Sequence, residues 1–343
     1  MRTSTRLALV ALFSAFALAA CSKKADVPAP AATEPPAEPA PAPAAEVAPA
    51  PAPAPAAQAA PAPKEINAKA FTIGDLSAFA LRDGGIEVPN DNKVFGVGET
   101  PAAVAAVLSA AGQPTDKLAL NIEPLLVKSG ERVLLFDTGA GSNFGPGAGK
   151  LPASLAEAGV DPQSVTDIYI SHVHGDHVGG LVNAEGKLAF PNATIHISKP
   201  EWAYLTGMDA EAAKMVGLAS HDALVAAMKT AVDEFPPGAV LLPGIVKAIP
   251  MQGHTPGHSG FLITSRSGSL FYVGDAVHHF VISVQKPEWT NNFDGDHAVA
   301  AETRKALIAQ LAASKQRIYA VHFPFPGLGT IGKQGDKFVW VGE

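Results

Sequence analysis

Residues 171–180 read Ser-His-Val-His-Gly-Asp-His-Val-Gly-Gly, and they carry more chemical information than any other segment of the chain. Four good ligands for a divalent metal, His172, His174, Asp176 and His177, fall within six positions. Imidazole nitrogen combined with carboxylate oxygen suits zinc, iron, cobalt or manganese better than calcium or magnesium. Six positions cannot wrap four ligands around one ion without severe backbone strain. The spacing therefore predicts two neighbouring ions, each facing two of these side chains.

Three downstream segments supply the partners that such a cluster needs. They are residues 253–258 (Gly-His-Thr-Pro-Gly-His), the pair Gly274-Asp275, and His322. The whole set resembles the metallo-β-lactamase-fold hydrolases, in which a His-x-His-x-Asp-His loop is followed by a lone His, an Asp and a final His. All seven positions carry the residue types of that family in the order of that family. The resemblance implies an α/β fold, the four-layer αββα metallo-β-lactamase sandwich.

The resemblance also implies how the seven side chains divide between two metal ions. His172, His174 and His254 would hold the first ion, Asp176, His177 and His322 the second, and Asp275 would bridge them. Asp176 and Asp275 are the carboxylates expected at the catalytic centre. Two divalent ions, with Zn²⁺ the expected metal, lower the pKa of a shared water and so supply a hydroxide nucleophile. His258, four residues after His254, is expected in a supporting or turn role.

A closer resemblance concerns the substrate. Residues 135–139, 143–146 and 322–327 are similar to the methyl parathion hydrolase branch, whose relatives include lactonases, and the similarity runs from Phe71 to the C-terminus. Apolar walls disfavour charged ligands, so an aromatic pocket would take an uncharged or lipophilic ester. The candidate pocket residues are Phe144, Trp202, His278, Phe323 and Phe325. For Phe144 and Trp202 a core position is an equal alternative, and for His278 a packing role is as well supported as substrate contact or protonation of a leaving group.

The composition limits the other functions open to the chain. Of the 343 residues 47% are hydrophobic, and the net charge is −7. A nucleic-acid partner would require a basic face, so the charge argues against the nuclease branches of this fold. Removing the N-terminal leader and an alanine-rich tract leaves roughly 280 residues, at the upper end for one domain.

The N-terminus predicts export and a lipid anchor. Arg2 and Arg6 precede an apolar run over residues 7–20 that is too short to span a bilayer, and the run resembles a bacterial lipoprotein signal ending before Cys21. Between residues 27 and 63, 30 of 37 residues are Pro or Ala, a composition that forms an extended tether rather than a core. The predicted organisation is a signal peptide (1–20), a lipidated Cys21 with its tether (21–63) and a hydrolase domain (64–343). The protein is expected on the periplasmic side of a bacterial membrane, with the outer membrane as the expected one. The lipid anchor is its only expected contact with that membrane. An ordinary cleaved leader with an incidental cysteine is the alternative.

Strands and helices are predicted to alternate through the domain. Apolar stretches over residues 117–128 and 132–136 indicate a hairpin, and short strands at 166–170, 270–273 and 318–321 lead into the candidate ligands. Helical patterns occupy residues 200–206, 210–235 with a break near Gly217, and 298–314. In the last helix Ala298, Leu307, Ile308 and Leu311 are expected to face the core, and Glu302, Arg304 and Lys305 to face water.

Four functions fit this pattern. The leading hypothesis is a dinuclear-metal hydrolase of lactones or related esters, and its alternative is a phosphotriesterase that uses the same site. A non-catalytic metal-binding lipoprotein is the alternative from another class, although structural sites close four ligands around one ion rather than seven around two. Single-iron redox chemistry, known in other branches of the fold, is a further enzymatic alternative. The sequence does not decide the oligomeric state, the presence of a lid or the preferred substrate.

Overall fold

Residues 67–343 are described in the computed structural model, so the predicted signal peptide, Cys21 and the tether lie outside the described residues. Within this part of the chain no helix is long and apolar enough to cross a membrane. The strands, in chain order, are β1 (Ala68–Ile73), β2 (Leu76–Leu81), β3 (Gly84–Pro89), β4 (Phe95–Val97), β5 (Lys117–Ile122), β6 (Leu125–Ser129), β7 (Arg132–Phe136), β8 (Asp167–Tyr169), β9 (Thr194–Ser198), β10 (Val232–Phe235), β11 (Val240–Leu242), β12 (Val246–Pro250), β13 (Ser259–Thr264), β14 (Ser269–Tyr272), β15 (Thr290–Asn291), β16 (Ile318–Tyr319), β17 (Leu328–Gln334) and β18 (Lys337–Gly342). The α-helices are α1 (Pro101–Ala110), α2 (Leu151–Glu157), α3 (Gly175–Val178), α4 (Lys199–Gly207), α5 (Ala210–Met215), α6 (His221–Met228), α7 (Ile282–Gln285) and α8 (His297–Ser314).

Two seven-stranded sheets form the centre of the described domain. The first has the order β1-β2-β6-β7-β8-β9-β10, and the second has the order β11-β12-β13-β14-β16-β17-β18. Strands β7 to β10 run parallel, as do β14 and β16, whereas the remaining neighbours in the two sheets are antiparallel. Two smaller pairs, β3 with β5 and β4 with β15, complete the strand pairing.

The sequence of β7 shows why the sheets become inner layers. Successive side chains of a strand point to opposite faces, and here both faces are apolar. Leu134 and Phe136 pack between the sheets against residues such as Phe261, while Leu135 packs on the opposite side against the helices. The rings of Phe136 and Phe261 lie 5.5 Å apart across the two sheets.

Helices cover the outer faces of both sheets. Residues of α2, α4, α5 and α6 share a hydrophobic cluster with the first sheet, and α8 shares one with the second. The resulting arrangement is the αββα sandwich, so the predicted fold class is confirmed.

Two predicted segments differ from the structure. The predicted strand at 117–128 is interrupted after Ile122, because Pro124 has no backbone N–H to donate, and its halves become β5 and β6 in different sheets. The hairpin itself is confirmed, with β6 and β7 paired from Ser129↔Arg132 onward. The predicted helix over 210–235 breaks near Gly217 as expected, but its last four residues form strand β10 instead.

In helix α8, Arg304 is buried rather than exposed as predicted. Leu307, Ile308 and Leu311 are buried as predicted, whereas Ala298 is exposed. Arg304 was expected to face water, yet only 2% of it is exposed and its guanidinium lies 3.1 Å from the Asp294 carboxylate. Helical periodicity cannot anticipate this, because the buried partner lies outside the helix.

Candidate metal centre

Asp176 and His177 lie in α3, and the other five candidate ligands lie in loops that follow a strand. His172 and His174 follow β8, and Asp275 follows β14. His322 follows β16, and His254 lies in the turn after β12. Loops at strand ends are where a rigid scaffold presents functional groups, and these four loops converge on one site.

The structure brings together the two predicted groups of three side chains. We call His172, His174 and His254 the first triad, and Asp176, His177 and His322 the second triad. Within each triad one ligand atom per residue lies within 4.8 Å of the others. In the first triad the Nε2 atoms of His172 and His254 are 3.1 Å apart.

Asp275 lies between the two triads. Its carboxylate oxygens are 3.2 Å from Nε2 of His177 and 3.0 Å from Nε2 of His322. The oxygen next to His322, Oδ2, also lies 3.5 Å from Nε2 of His254 and 3.7 Å from Nε2 of His172 in the first triad. This is the position that a bridging carboxylate requires, so all seven predicted residues meet at one centre.

The hydrogen bonds around the first triad leave two lone pairs facing each other. Nδ1 of His254 lies 3.1 Å from the Asp294 carboxylate, so this nitrogen must donate. Nδ1 of His172 is 3.0 Å from Ser171 Oγ, whose own hydrogen is directed at Asp137. Both imidazoles therefore present unprotonated Nε2 atoms to the same point, and a shared cation is what stabilises such an arrangement.

Unpaired buried atoms give a second test of whether the residues suit metal ions. Nε2 of His177 and Oδ1 of Asp275 are fully buried and 3.2 Å apart, yet they form no hydrogen bond with each other or with any other group among residues 67–343. Buried polar atoms are normally satisfied, so these two require a partner of another kind. A divalent cation fits, and the seven residues together are suited to a dinuclear metal site.

The pKa shifts of the histidines are consistent with metal binding at this site. Burial and the neighbouring His177 lower the pKa of His172 well below its usual range, which keeps this imidazole in the neutral form that binds metals. For His177, burial lowers the pKa, but the carboxylates of Asp275, Asp176 and Asp137 outweigh it and raise the pKa well above the usual range. The acidic side of the centre thus attracts positive charge.

Two carboxylates that the sequence analysis did not assign hold the ligand rings. Asp137 accepts from Nδ1 of His177 at 2.7 Å, and Asp294 accepts from Nδ1 of His254 at 3.1 Å. Such partners fix the tautomer and orientation of a ligating histidine. Asp137 lies in the 135–139 segment that carried the family resemblance, which was the one available signal for it. Asp294 had none.

His258 supports the bridging residue. Its Nδ1 donates to the carbonyl of Met251, so its Nε2 accepts from the backbone N–H of Asp275 at 2.9 Å. Gly274 has a φ of +50°, and a Cβ at this residue would lie 2.5 Å from the His258 ring. This agrees with the supporting role expected for His258.

A cavity of about 730 Å³ opens onto the centre. His174, Asp176, His254, Asp275 and His322 reach its floor. The walls are largely apolar and include Ile86, Leu120, Phe144, Met215 and Phe293. Of the five candidate pocket residues, Phe144 and His278 lie in this lining.

The other three candidates do not line this cavity, in contrast to the prediction. Trp202 packs against the hydrophobic cluster between the first sheet and its helices. Phe323 is fully buried and meets the Trp340 ring edge-on at 5.4 Å. Phe325 packs between the sheets, with the Arg82 guanidinium 4.3 Å from its ring centroid. Adjacency to His322 in sequence did not place the two phenylalanines in the cavity, because the chain turns into the core directly after His322.

His278 is oriented as a hydrogen-bond donor. The side-chain amide of Asn291 donates to Nδ1 of His278 at 2.9 Å, since Oδ1 of Asn291 accepts from the backbone of Phe293. A neutral His278 therefore carries its proton on Nε2, 3.2 Å from the Asp275 carboxylate and beside the cavity.

Comparisons with known proteins agree with this geometry. The profile of the metallo-beta-lactamase superfamily matches residues 124–322. The dizinc quorum-quenching lactonase AidC, solved with a product N-hexanoyl-L-homoserine, is 30% identical, with a TM-score of 0.75 over 81% of this chain and 99% of its own. The hydrolase AbOPH is 28% identical, with a TM-score of 0.73 over 82% of this chain and 99% of its own.

A probable metal-dependent hydrolase from Staphylococcus aureus shares the fold at 18% identity and a TM-score of 0.63, over 80% of this chain and 99% of its own. A search of curated protein sequences found no match to this chain. The match to the family covers more than half of the chain. It includes all seven candidate ligands, with His322 as its last residue. The chain therefore belongs to the metallo-beta-lactamase superfamily and is a metal-dependent hydrolase.

Proposed function

We propose that the protein hydrolyses uncharged lactones or related esters at a dinuclear metal centre. The observation that carries this proposal is the cavity, in which apolar walls lead directly to the two triads. Apolar walls favour a substrate with a lipophilic part and place its polar bond at the charged floor. The similarity to a dizinc lactonase supports the same substrate class.

The first and second triads and Asp275 would hold the two ions, for which zinc is the proposed metal. When bound, such a pair supplies Lewis-acid polarisation of the substrate and an activated water at neutral pH. The protein contributes rigid placement: the Nδ1 atoms of His177 and His254 are fixed by carboxylates, and the backbone N–H of Asp275 is held by His258.

His278 would act on the substrate directly. Its Nε2–H lies beside Asp275 and next to the cavity, where it can donate to the carbonyl or leaving oxygen of a bound ester. The Asn291 amide prevents the other tautomer, because that tautomer would set two donors against each other. A donor fixed before the substrate arrives loses no reorganisation energy during the reaction.

The test is hydrolysis by the full-length, zinc-loaded protein. An N-acyl homoserine lactone and a dialkyl p-nitrophenyl phosphate are compared under the same conditions. We expect a higher kcat/KM for the lactone and a further gain in kcat/KM with a longer acyl chain, which would contact Met215 and Phe293. A higher kcat/KM for the phosphotriester would instead establish the phosphotriesterase alternative. Two bound metals with no turnover of either substrate would favour a metal-binding protein.

We also propose that the chain is exported and anchored to a bacterial membrane through a lipid on Cys21. Support comes from the leader-like residues 1–20 and the Pro/Ala-rich tether that follows them. Cys21→Ser is expected to abolish palmitate labelling and to move the protein from the membrane to the soluble fraction. Labelling that persists in this variant would disprove the anchor.

A further inference from the structure

Glu201, in the first turn of α4, is a fully buried carboxylate outside the two triads. It accepts three hydrogen bonds from the described residues. Oε1 accepts from the backbone N–H of Val173 at 2.9 Å. Oε2 accepts from the Thr255 hydroxyl and from the backbone N–H of Gly257, both at 2.8 Å.

These partners lie on the two loops that carry the first triad. Val173 stands between His172 and His174, and Thr255 directly follows His254. The loops are separated by about eighty residues in sequence, yet one carboxylate ties them together. A rotation or shift of either loop would break at least one of the three bonds.

The approach of α4 to the second loop is unusually close. A Cβ at Gly257 would lie 2.2 Å from the backbone nitrogen of Glu201, so no larger residue fits. Ser198, the N-cap of α4, donates to the Gly257 carbonyl at 2.7 Å and accepts from the Glu201 N–H at 3.3 Å. Side chain and backbone contacts of α4 thus fix the loop that carries His254.

The second triad is held by different groups. His177 is bound by Asp137, and Nδ1 of His322 donates to the carbonyl of Asn121. Glu201 makes no hydrogen bond to the loops of Asp275 or His322. Its three hydrogen bonds are made beside His172, His174 and His254, and none is made to a residue of the second triad or to an immediate neighbour of one.

We propose that Glu201 is a positioning residue that sets the separation of His172 and His174 from His254, and thereby the metal affinity of the first triad. The proposal rests on the metal-binding part of the proposed function. Burial raises the pKa of this carboxyl to about 7, against the lowering effect of its three donors. An isosteric amide would occupy the same space, but it has one acceptor oxygen and cannot accept from all three donors.

Glu201→Gln tests the proposal. Glutamine has one carbonyl oxygen, so its NH2 must face either the Val173 N–H or the Gly257 N–H, and one loop loses its attachment. Outer hydrogen-bond partners of this kind typically contribute about 10–100-fold in metal affinity, and we expect a loss in that range at the first triad. The second triad should change by less than about threefold, since Glu201 does not contact it.

Both affinities are measured on the full-length protein by Zn²⁺ titration against a chromophoric chelator. Co²⁺ absorption spectra of His254→Ala and His322→Ala show which signal belongs to which triad. Thr255→Val removes one donor without introducing a clash, and we expect it to weaken the first triad in the same direction but less. Glu234→Gln, on the exposed part of β10, serves as the matched control and should bind both metals normally.

Equal weakening of both triads, or unchanged affinity in Glu201→Gln and Thr255→Val, would overturn the positioning role. That result differs from failure of the proposed function, in which the unaltered protein itself would not bind two metals. A fall in thermal stability with normal first-triad affinity would also overturn the proposal, because it would leave Glu201 a purely structural role.

Discussion

Asp137→Asn should lower the metal affinity of the second triad while leaving that of the first triad unchanged. Asp137 is 1% exposed and adopts a φ of +54°, a conformation that asparagine tolerates, so the backbone can stay in place. Its Oδ1 accepts from the Ser171 N–H at 2.7 Å. Its Oδ2 accepts from Ser171 Oγ, Tyr272 Oη and His177 Nδ1 at 2.6, 2.7 and 2.7 Å.

An amide cannot satisfy these donors. If its NH2 replaces Oδ2, it opposes the Nδ1–H of His177, and the imidazole is driven toward the tautomer that blocks metal binding at Nε2. If its NH2 replaces Oδ1, it opposes the Ser171 N–H, which cannot move away. Loss of a charge-assisted bond with one buried donor left unpaired costs about 2–4 kcal/mol of unfolding free energy. The metal affinity of the second triad should fall about 10–100-fold.

The assay is Zn²⁺ titration by chelator competition, with urea unfolding of the same samples. Asp294→Asn is the matched comparison, because Asp294 holds His254 and should weaken the first triad instead. If Asp137→Asn leaves second-triad affinity within about threefold of the unaltered protein, or if both variants weaken the same triad, Asp137 does not have this role.

Three further predictions concern separate parts of the molecule. His174→Ala should abolish hydrolysis and lower the metal content while the circular dichroism spectrum stays unchanged; normal metal content with retained activity would refute the ligand assignment. His278→Phe should lower kcat about 100-fold with both metals retained, because the ring still packs on Phe293 while the donor is lost, and an unchanged kcat would exclude the proposed role. Burial would raise the pKa of Asp167, but hydrogen bonds from His196, Thr166 and Arg132 hold it at about 2, below the ordinary value of 3.8 for an aspartate. This depressed pKa stabilises the fold above pH 4, and the contribution is lost as the pH falls toward 2. Asp167→Asn should therefore cost about 2 kcal/mol at pH 7 by urea unfolding, with a smaller difference at pH 3, and an equal difference at both pH values would contradict the assignment.

The candidate ligands could be predicted because most of them lie close together in the sequence. His172, His174, Asp176 and His177 occupy six positions whose residue types have few uses other than metal binding. The strands that precede them were also predictable, since β8, β14 and β16 are short and rich in β-branched, aliphatic and aromatic residues, and the ligands follow shortly after they end. The fold class followed from the same residues through the family resemblance.

The groups that orient the ligands could not be predicted in this way. Asp294 pairs with a histidine 40 residues away, and Glu201 with a threonine 54 residues away. Nothing local distinguishes such acids from those on the surface. Arg304 shows the same limit, because helical periodicity assigns a charged side chain to solvent unless a buried partner is known.

The cavity walls were the least predictable part of the site. Phe323 and Phe325 flank His322 closely in sequence, yet the chain directs both rings into hydrophobic packing. Ile86, Met215 and Phe293 line the cavity although they come from three distant segments. Pocket shape depends on how these segments meet, which no single pattern in the sequence encodes.

In the proposed function, this chain holds two metal ions and uses them to hydrolyse a lactone. Metal content and lactone turnover, measured together on one preparation of the full-length protein, test it most directly. Two metals per chain, with turnover that is lost on chelation and restored by Zn²⁺, is the predicted result. One metal per chain, or two metals without turnover of any lactone tested, would contradict it.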